Sequence, residues 1–463
     1  MGCTEPATPV TQVSPGSCLE RGRIHCECVN DVCLPSLDNL IRKSFKRLPT
    51  TPEWDRFRKY ARRMRELVEF YTLDFPSVEV LSVLRLCIIN EPLLPNLKTL
   101  DFWGVHGLFV PFVPFLLSPR TTSIHLRFSS GPPQAMVASM VTTFPKLCPN
   151  LQTISLHFLP RDPMITAAVS GMLLATNRNT LQKFHVDSPL TEEASEVIYK
   201  LPNLCGLSVV IERGTSLPPA SLPNLTKIAI ECEDEGDWPQ LFRRATFGKL
   251  ESVAFYPRCK KIGDFLETFE KVALSSSIQN TLSRFHAFTS CSWNPNYSSL
   301  LSFTQLVDLI VGFPCHDGCS SRVNDDIVID LSRAMPKLRA LRLGDDPCRE
   351  FAIGATAKGL MALALHCPDL LYLCIHFQVA SLGAPLASSE IGYNTEPTGS
   401  QKGCALKELT VGEIPVPEGS FFPVALPLLQ IFPRIEAIHS TDEKWGKIMS
   451  TIRFSRRNIH LFA

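Results

Sequence analysis

Pro95-Asn96-Leu97-Lys98-Thr99-Leu100-Asp101-Phe102 and Pro336-Lys337-Leu338-Arg339-Ala340-Leu341-Arg342-Leu343 are two copies of one phrase. An apolar residue is followed after two positions by a second, and after one more by a third. Thirteen copies keep this spacing, starting at Leu97, Thr121, Leu151, Leu181, Leu204, Leu225, Leu250, Leu282, Leu306, Leu338, Leu370, Leu406 and Ile435. Successive starts lie between 21 residues (Leu204 to Leu225) and 36 residues (Leu370 to Leu406) apart. Thr121 is the weakest start and Ala287 the weakest third apolar position.

Self-similarity at this period marks a repeat architecture, and the phrase is the strand half of a leucine-rich repeat. Between phrases the apolar period changes from two to about 3.6, which predicts helices. Residues 162–177, 190–201, 260–274, 324–335 and 356–367 carry it. The segment between Leu204 and Leu225 has no room for a full helix and holds Pro218 and Pro219, so an extended or 3₁₀ connection is expected. The fold class read from these patterns is α/β. It is a leucine-rich-repeat solenoid, or horseshoe, of irregular repeat length, with concave parallel strands and outer helices. Cys148 and Cys367, each just before a phrase, read as small apolar plugs at helix ends.

The organisation expected is a Cys/Pro/Thr/Ser-rich disordered tail at 1–33, an N-terminal helical cap at 34–93, repeats at 94–440 and a C-terminal cap at 441–463. A flexible insertion is expected at 378–403. Residues 52–71 read as one amphipathic helix, with Trp54, Phe57, Ala61, Met64, Val68 and Tyr71 on its apolar stripe and arginines on the rest. Such a helix suits the capping role that a terminal repeat requires.

The chain has 463 residues, 45% of them hydrophobic, and 46 basic residues against 45 acidic. That balance gives no reason to expect nucleic acid or anionic membrane as a partner. No run approaches the roughly 18 apolar residues of a membrane span. Residues 1–17 lack the apolar core of a secretory signal, so the 17 cysteines are expected as free thiols in the cytoplasm or nucleus. Met1-Gly2-Cys3 resembles a myristoylation start, but Pro6 stands where Ser or Thr is wanted.

Two clusters invite a metal reading. His25-Cys26-Glu27-Cys28 with Cys33 has the wrong spacing for structural zinc, and Cys315-His316-Asp317-Gly318-Cys319 offers only three candidate ligands. No phosphate-binding glycine loop, nucleophile elbow or His-Glu-x-x-His motif is present. The expectation is a non-enzyme with no cofactor and no metal, an enzyme with an unrecognised site being a further alternative.

In each phrase, positions one, four and six should face the core, and positions three, five and seven the concave side. Six of the eleven histidines fall on that side: His125, His157, His185, His286, His376 and His439. With them stand Asp101, Trp103, Arg127, Lys183, Asp187, Tyr256, Arg284, Arg342 and Tyr372. One reading is a recognition wall for a protein, since Trp, Tyr and Arg dominate binding hot spots. The other is that histidine simply tolerates half-exposed strands.

Trp54-Asp55-Arg56-Phe57, Tyr60-Ala61-Arg62-Arg63-Met64-Arg65-Glu66-Leu67 and Leu94-Pro95-Asn96-Leu97-Lys98-Thr99-Leu100 resemble the segment that follows the F-box in fungal, especially mushroom-type, F-box leucine-rich-repeat proteins. The resemblance implies a substrate adaptor of an SCF-type ubiquitin ligase, its F-box bound to the Skp adaptor subunit and its repeats holding the protein to be modified. Leu34-Pro35-Ser36-Leu37 has the Leu-Pro of an F-box start without its glutamate and following apolar helix. The family's function therefore carries to the repeats, and ligase assembly becomes an alternative that needs a degenerate F-box.

Overall fold

A computed structural model describes residues 49–457, apart from short segments at 70–77, 88–90, 130–131, 160, 213–218, 233–237, 258–264, 276–277, 289–295, 313–322, 345–353, 384–403, 413, 415, 417–418 and 441. The strands are β1 (Glu66–Glu69), β2 (Thr99–Val105), β3 (Ser123–Phe128), β4 (Thr153–His157), β5 (Lys183–Pro189), β6 (Gly206–Ile211), β7 (Ala220–Leu222) and β8 (Lys227–Cys232). They continue as β9 (Ala245–Phe247), β10 (Ser252–Pro257), β11 (Arg284–Phe288), β12 (Asp308–Gly312), β13 (Ala340–Leu343), β14 (Tyr372–Ile375), β15 (Glu408–Gly412) and β16 (Ala437–Ser440). Fourteen of them form one parallel sheet in chain order, from β1 to β16 without β7 and β9. The fold is α/β, with units stacked one after another.

Each of the thirteen phrases opens a strand two residues after its first apolar position. All thirteen first positions are fully buried, Thr121 included. Each buried leucine among them stabilises the fold by roughly 1.5–3 kcal/mol. Positions four and six are buried too, except in β16 at the margin of the sheet, where Ile438 and Ser440 are half-exposed. The buried side chains form one continuous core from Ala61 to Ile452.

Register is fixed by a repeated backbone device. The carbonyl of Arg65 accepts from the N–H groups of Lys98 and Thr99, that of Lys98 from Thr122 and Ser123, and so on to Lys407, which accepts from Glu436 and Ala437. Polar side chains also stitch one unit to the previous one. Thr121 Oγ1 donates to Leu97 O at 3.1 Å, Thr180 Oγ1 to Leu151 O at 2.9 Å and Thr281 Oγ1 to Leu250 O at 2.7 Å. The turn before a strand thus finds its hydrogen-bond partners in the neighbouring unit.

The connecting segments back the sheet. Helices Pro163–Ala175, Glu192–Ile198, Asp325–Ala334 and Ala357–His366 fall where the apolar period places them. Asp162, Thr191, Asn324 and Thr356 cap these four helices through their side chains. Phe265–Ser275 is the described part of the helix expected at 260–274. Between β6 and β8 residues 213–218, Pro218 among them, lie outside the described residues; β7 follows and pairs with β9 as a small second sheet. Cys148 and Cys367 end helices Gln134–Leu147 and Ala357–His366 as buried plugs, and burial pushes both thiols up to about 12.

The stretch 52–71 is not one helix. Helix Thr51–Ala61 stops there, and Glu66–Glu69 is β1, paired in parallel with β2. The reason is register: Met64 and Leu67 stand where Leu97 and Leu100 stand in the next unit, and Arg65 O is already taken by β2. Pairing with the sheet outweighs the helical stripe, so the N-terminal cap contains the first strand. Residues 1–33, the Leu34-Pro35 segment, most of the 378–403 insertion and the Cys315–Cys319 cluster lie outside the described residues. No helix among the described residues is long and apolar enough to cross a membrane.

Candidate functional site on the open face of the sheet

Positions three, five and seven lie on the sheet face away from the helices, and every concave-face candidate named above is half-buried or exposed. Because the strands run parallel and in register, equal positions line up in rows. Asp101, His125, Ser155, His185 and Ser208 form one such row, and Trp103, Arg127 and His157 another.

The β2–β5 portion is one connected network. Trp103 Nε1 donates to Asp101 Oδ1 at 2.9 Å. The Arg127 guanidinium lies over the Trp103 ring at 4.2 Å and faces the Phe158 ring at 5.5 Å. Two aromatic rings around one guanidinium hold it by cation–π attraction. Phe158 follows β4 directly, with φ 59°, a left-handed conformation that a bulky residue rarely adopts. Its backbone N–H donates to Asp187 Oδ2 at 2.9 Å, while Asp187 Oδ1 lies 3.4 Å from His157 Nδ1. His157 Nε2 completes the chain on Ser155 Oγ at 2.7 Å.

Burial disfavours the charged form of the other two histidines of this region. His185 is pushed down to about 4 by burial, with His157, His125 and Lys183 acting in the same direction against Asp187. His125 is also lowered, chiefly by burial, with the Asp101 carboxylate opposing. Its Nε2 pairs with Ser123 Oγ at 2.8 Å.

The remaining candidates form separate groups. Tyr256 stacks on Phe288 with ring centres 5.6 Å apart and planes 7° apart, and His286 meets Phe288 edge-on. Arg284 Nε bonds Asp308 Oδ2 at 3.0 Å. Further along, Arg342 Nε donates to Gly344 O at 3.3 Å, and Tyr372 Oη lies 3.3 Å from Thr410 Oγ1. His376 sits at the end of β14, its carbonyl accepting from Ala355 N. His439 faces Glu408 at 3.7 Å. The wall is thus a dense patch on β2–β5 and two looser ones.

Phe158, Ser123, Ser155, Arg161, Glu231, Phe288 and Asp308 belong to this surface and escaped the sequence reading. Arg161, beyond β4, pairs with Glu231 at the end of β8, crossing the ends of β5 and β6. Glu231, Phe288 and Asp308 occupy positions three or seven and were open to the same rule; Phe158 and Arg161 lie past the phrase. Among the described residues, no three His, Cys, Asp or Glu side chains are placed to hold a metal ion. In comparisons with known proteins, no family model matches the chain and no curated protein matches it.

Proposed function

We propose that this chain is a non-catalytic interaction module, a leucine-rich-repeat solenoid of the F-box-protein-like kind that receives a protein partner on its concave face. The carrying observation is the network from Asp101 through Trp103, Arg127 and Phe158 to Asp187. It fixes long side chains before any partner arrives, which lowers the ordering cost of binding. Arg and Trp anchors ringed by half-buried neighbours have the make-up of a hot spot.

Capture by the full chain tests this, beside a Trp103→Ala/Arg127→Ala variant and an Arg339→Ala control at an exposed turn. A protein held by the wild type and the control and lost from the double variant is the expected result. Equal retention by all three removes this face as the binding surface.

A second reading, substrate adaptor of an SCF-type ubiquitin ligase, is favoured by one feature. Trp54 and Phe57, which carry the family resemblance, stack at 5.0 Å and pack against the core beside β1. The test is co-purification with the Skp subunit of the full chain and of one lacking residues 1–50. Binding that needs residues 1–50 supports the adaptor; no binding by either ends it.

A further inference from the structure

From β2 to β12 the charged side chains at positions three, five and seven are almost all spoken for. Asp101 holds Trp103, Arg127 lies on the Trp103 ring, Asp187 holds His157, Glu231 holds Arg161, and Arg284 holds Asp308. Two remain. Lys183 on β5 and Lys227 on β8 have no ion-pair partner among the described residues, and both are exposed. They stand in the same row with Gly206 of β6 between them, since Lys183 pairs in register with Gly206 and Gly206 with Lys227.

Gly206 matters because of where the Lys183 stem goes. A Cβ on Gly206 would lie 3.3 Å from Lys183 Cγ and 3.4 Å from His185 Nε2. The Lys183 stem therefore lies over β6, on the side of Lys227, where a side chain at position 206 would crowd it. Two inter-strand steps separate the lysine backbones by roughly 10 Å, a gap that two flexible ammonium groups close on a single small anion. Thr153 and Ser252 are the next residues of the row on either side and Ser208 stands beside it, so from Thr153 to Ser252 the row is hydroxyl-bearing and holds no acid; the nearest acid beyond, Asp308, is bonded to Arg284. Glu251, in the turn before β10, is not within ion-pair distance of Lys227.

We propose that the partner is engaged through an oxyanion, a carboxylate or phosphoryl group on an acidic or phosphorylated peptide segment, seated over Gly206 between Lys183 and Lys227. The inference rests on the reading that this face receives a protein, and it adds the chemistry of the segment received. Two like charges on either side of one strand are compensated when an anion lies between them, and charge-assisted hydrogen bonds from both ammonium groups hold it there. The neighbouring aromatic–guanidinium patch would take the flanking apolar residues of the same segment.

The test uses the full chain and three labelled peptides of equal length: one with phosphoserine, one with glutamate at that position, one with serine. Affinities are measured for wild type, Lys183→Ala, Lys227→Ala and Lys200→Ala. Lys200 is exposed and pairs with Glu196 behind the sheet, so its loss matches the charge change without touching the row. The expected result is about a tenfold loss with each row lysine and none with Lys200→Ala. Preference for the phosphoserine or the glutamate peptide identifies the source of the anion. Binding to neither anionic peptide, or equal affinity in the row and control variants, overturns the proposal. A partner lost on Trp103→Ala/Arg127→Ala but bound undiminished by Lys183→Ala/Lys227→Ala overturns this inference alone and leaves the interaction reading standing.

Discussion

The backbone N–H of Phe158 donates to the Asp187 carboxylate at 2.9 Å, and that bond spans from the end of β4 to β5. It holds an aromatic residue that is 63% exposed at φ 59°. Strain of this kind, of order 1–3 kcal/mol, persists only where the surroundings impose it. Asp187→Ala should therefore cost about 1–2 kcal/mol, and Phe158→Gly should recover stability by relieving φ. In the double variant, the cost of losing Asp187 should shrink. Urea unfolding of the four chains reads the coupling, and strictly additive effects would contradict it.

His185 predicts a pH dependence. Its folded value is about 4 against an ordinary 6.5, with burial the main cause. Between these values the unfolded chain takes up a proton that the folded chain refuses, so stability falls as pH drops from about 6.5 to about 4. The contribution approaches about 1.4 kcal/mol per pH unit for one such group. His125, lowered in the same direction, adds to it. The groups facing His185 are His157, His125, Lys183 and Asp187. His185→Gln should flatten the profile measured by denaturant midpoint; an unchanged slope would show that His185 is protonated in the fold.

Thiol labelling should sort the cysteines by place. Cys148 and Cys367 are buried, and burial pushes their thiols up to about 12. The Cys367 thiol also donates to Ser332 O and Met335 O, both at 3.6 Å. At neutral pH they should react with an alkylating reagent only as fast as the chain opens, whereas the half-exposed Cys205 and Cys374 should react before them. Mass spectrometry of partly labelled protein gives the order.

Trp445 tests the C-terminal cap. It is fully buried, donates from Nε1 to Ile414 O at 2.9 Å and meets Phe377 edge-on. Trp445→Ala should cost about 3–5 kcal/mol. Because each unit rests on its neighbours, the loss should appear as fast hydrogen exchange in β14–β16 while β2–β5 stay protected. Uniform loss across the sheet would mean that the array unfolds as one cooperative block.

The strands were legible because one rule, apolar residues at positions one, four and six, is imposed on every unit by the same core. The rule failed at β1, where Met64 and Leu67 keep the first two positions but Glu69 takes the third. The arginine-rich surroundings there read equally well as a helix. Half of the site was legible by the same alternation, since His125, Arg127 and His185 sit at face positions of clear strands. Phe158 was not, because its place depends on a left-handed backbone held by a carboxylate 29 residues away. Nor was Arg161, whose partner Glu231 is 70 residues distant. Such contacts follow from how units stack, and no local pattern records them. Gly206 shows the reverse case: a glycine in a strand signals that something lies close above it, and here, at the start of β6, it is the stem of Lys183 and the ring of His185.

The order of the sheet, β1 at one margin and β16 at the other with its strands following in chain order, decides how the molecule answers a pull. Tension between Pro49 and Arg457 acts across the strands, along the line of the ladder bonds. Each boundary then opens from its end, one bond row after another, and no two strands are sheared past each other. The chain should yield to stretching as a zip fastener does, in many small, low-force steps of one unit each, and close again in the reverse order.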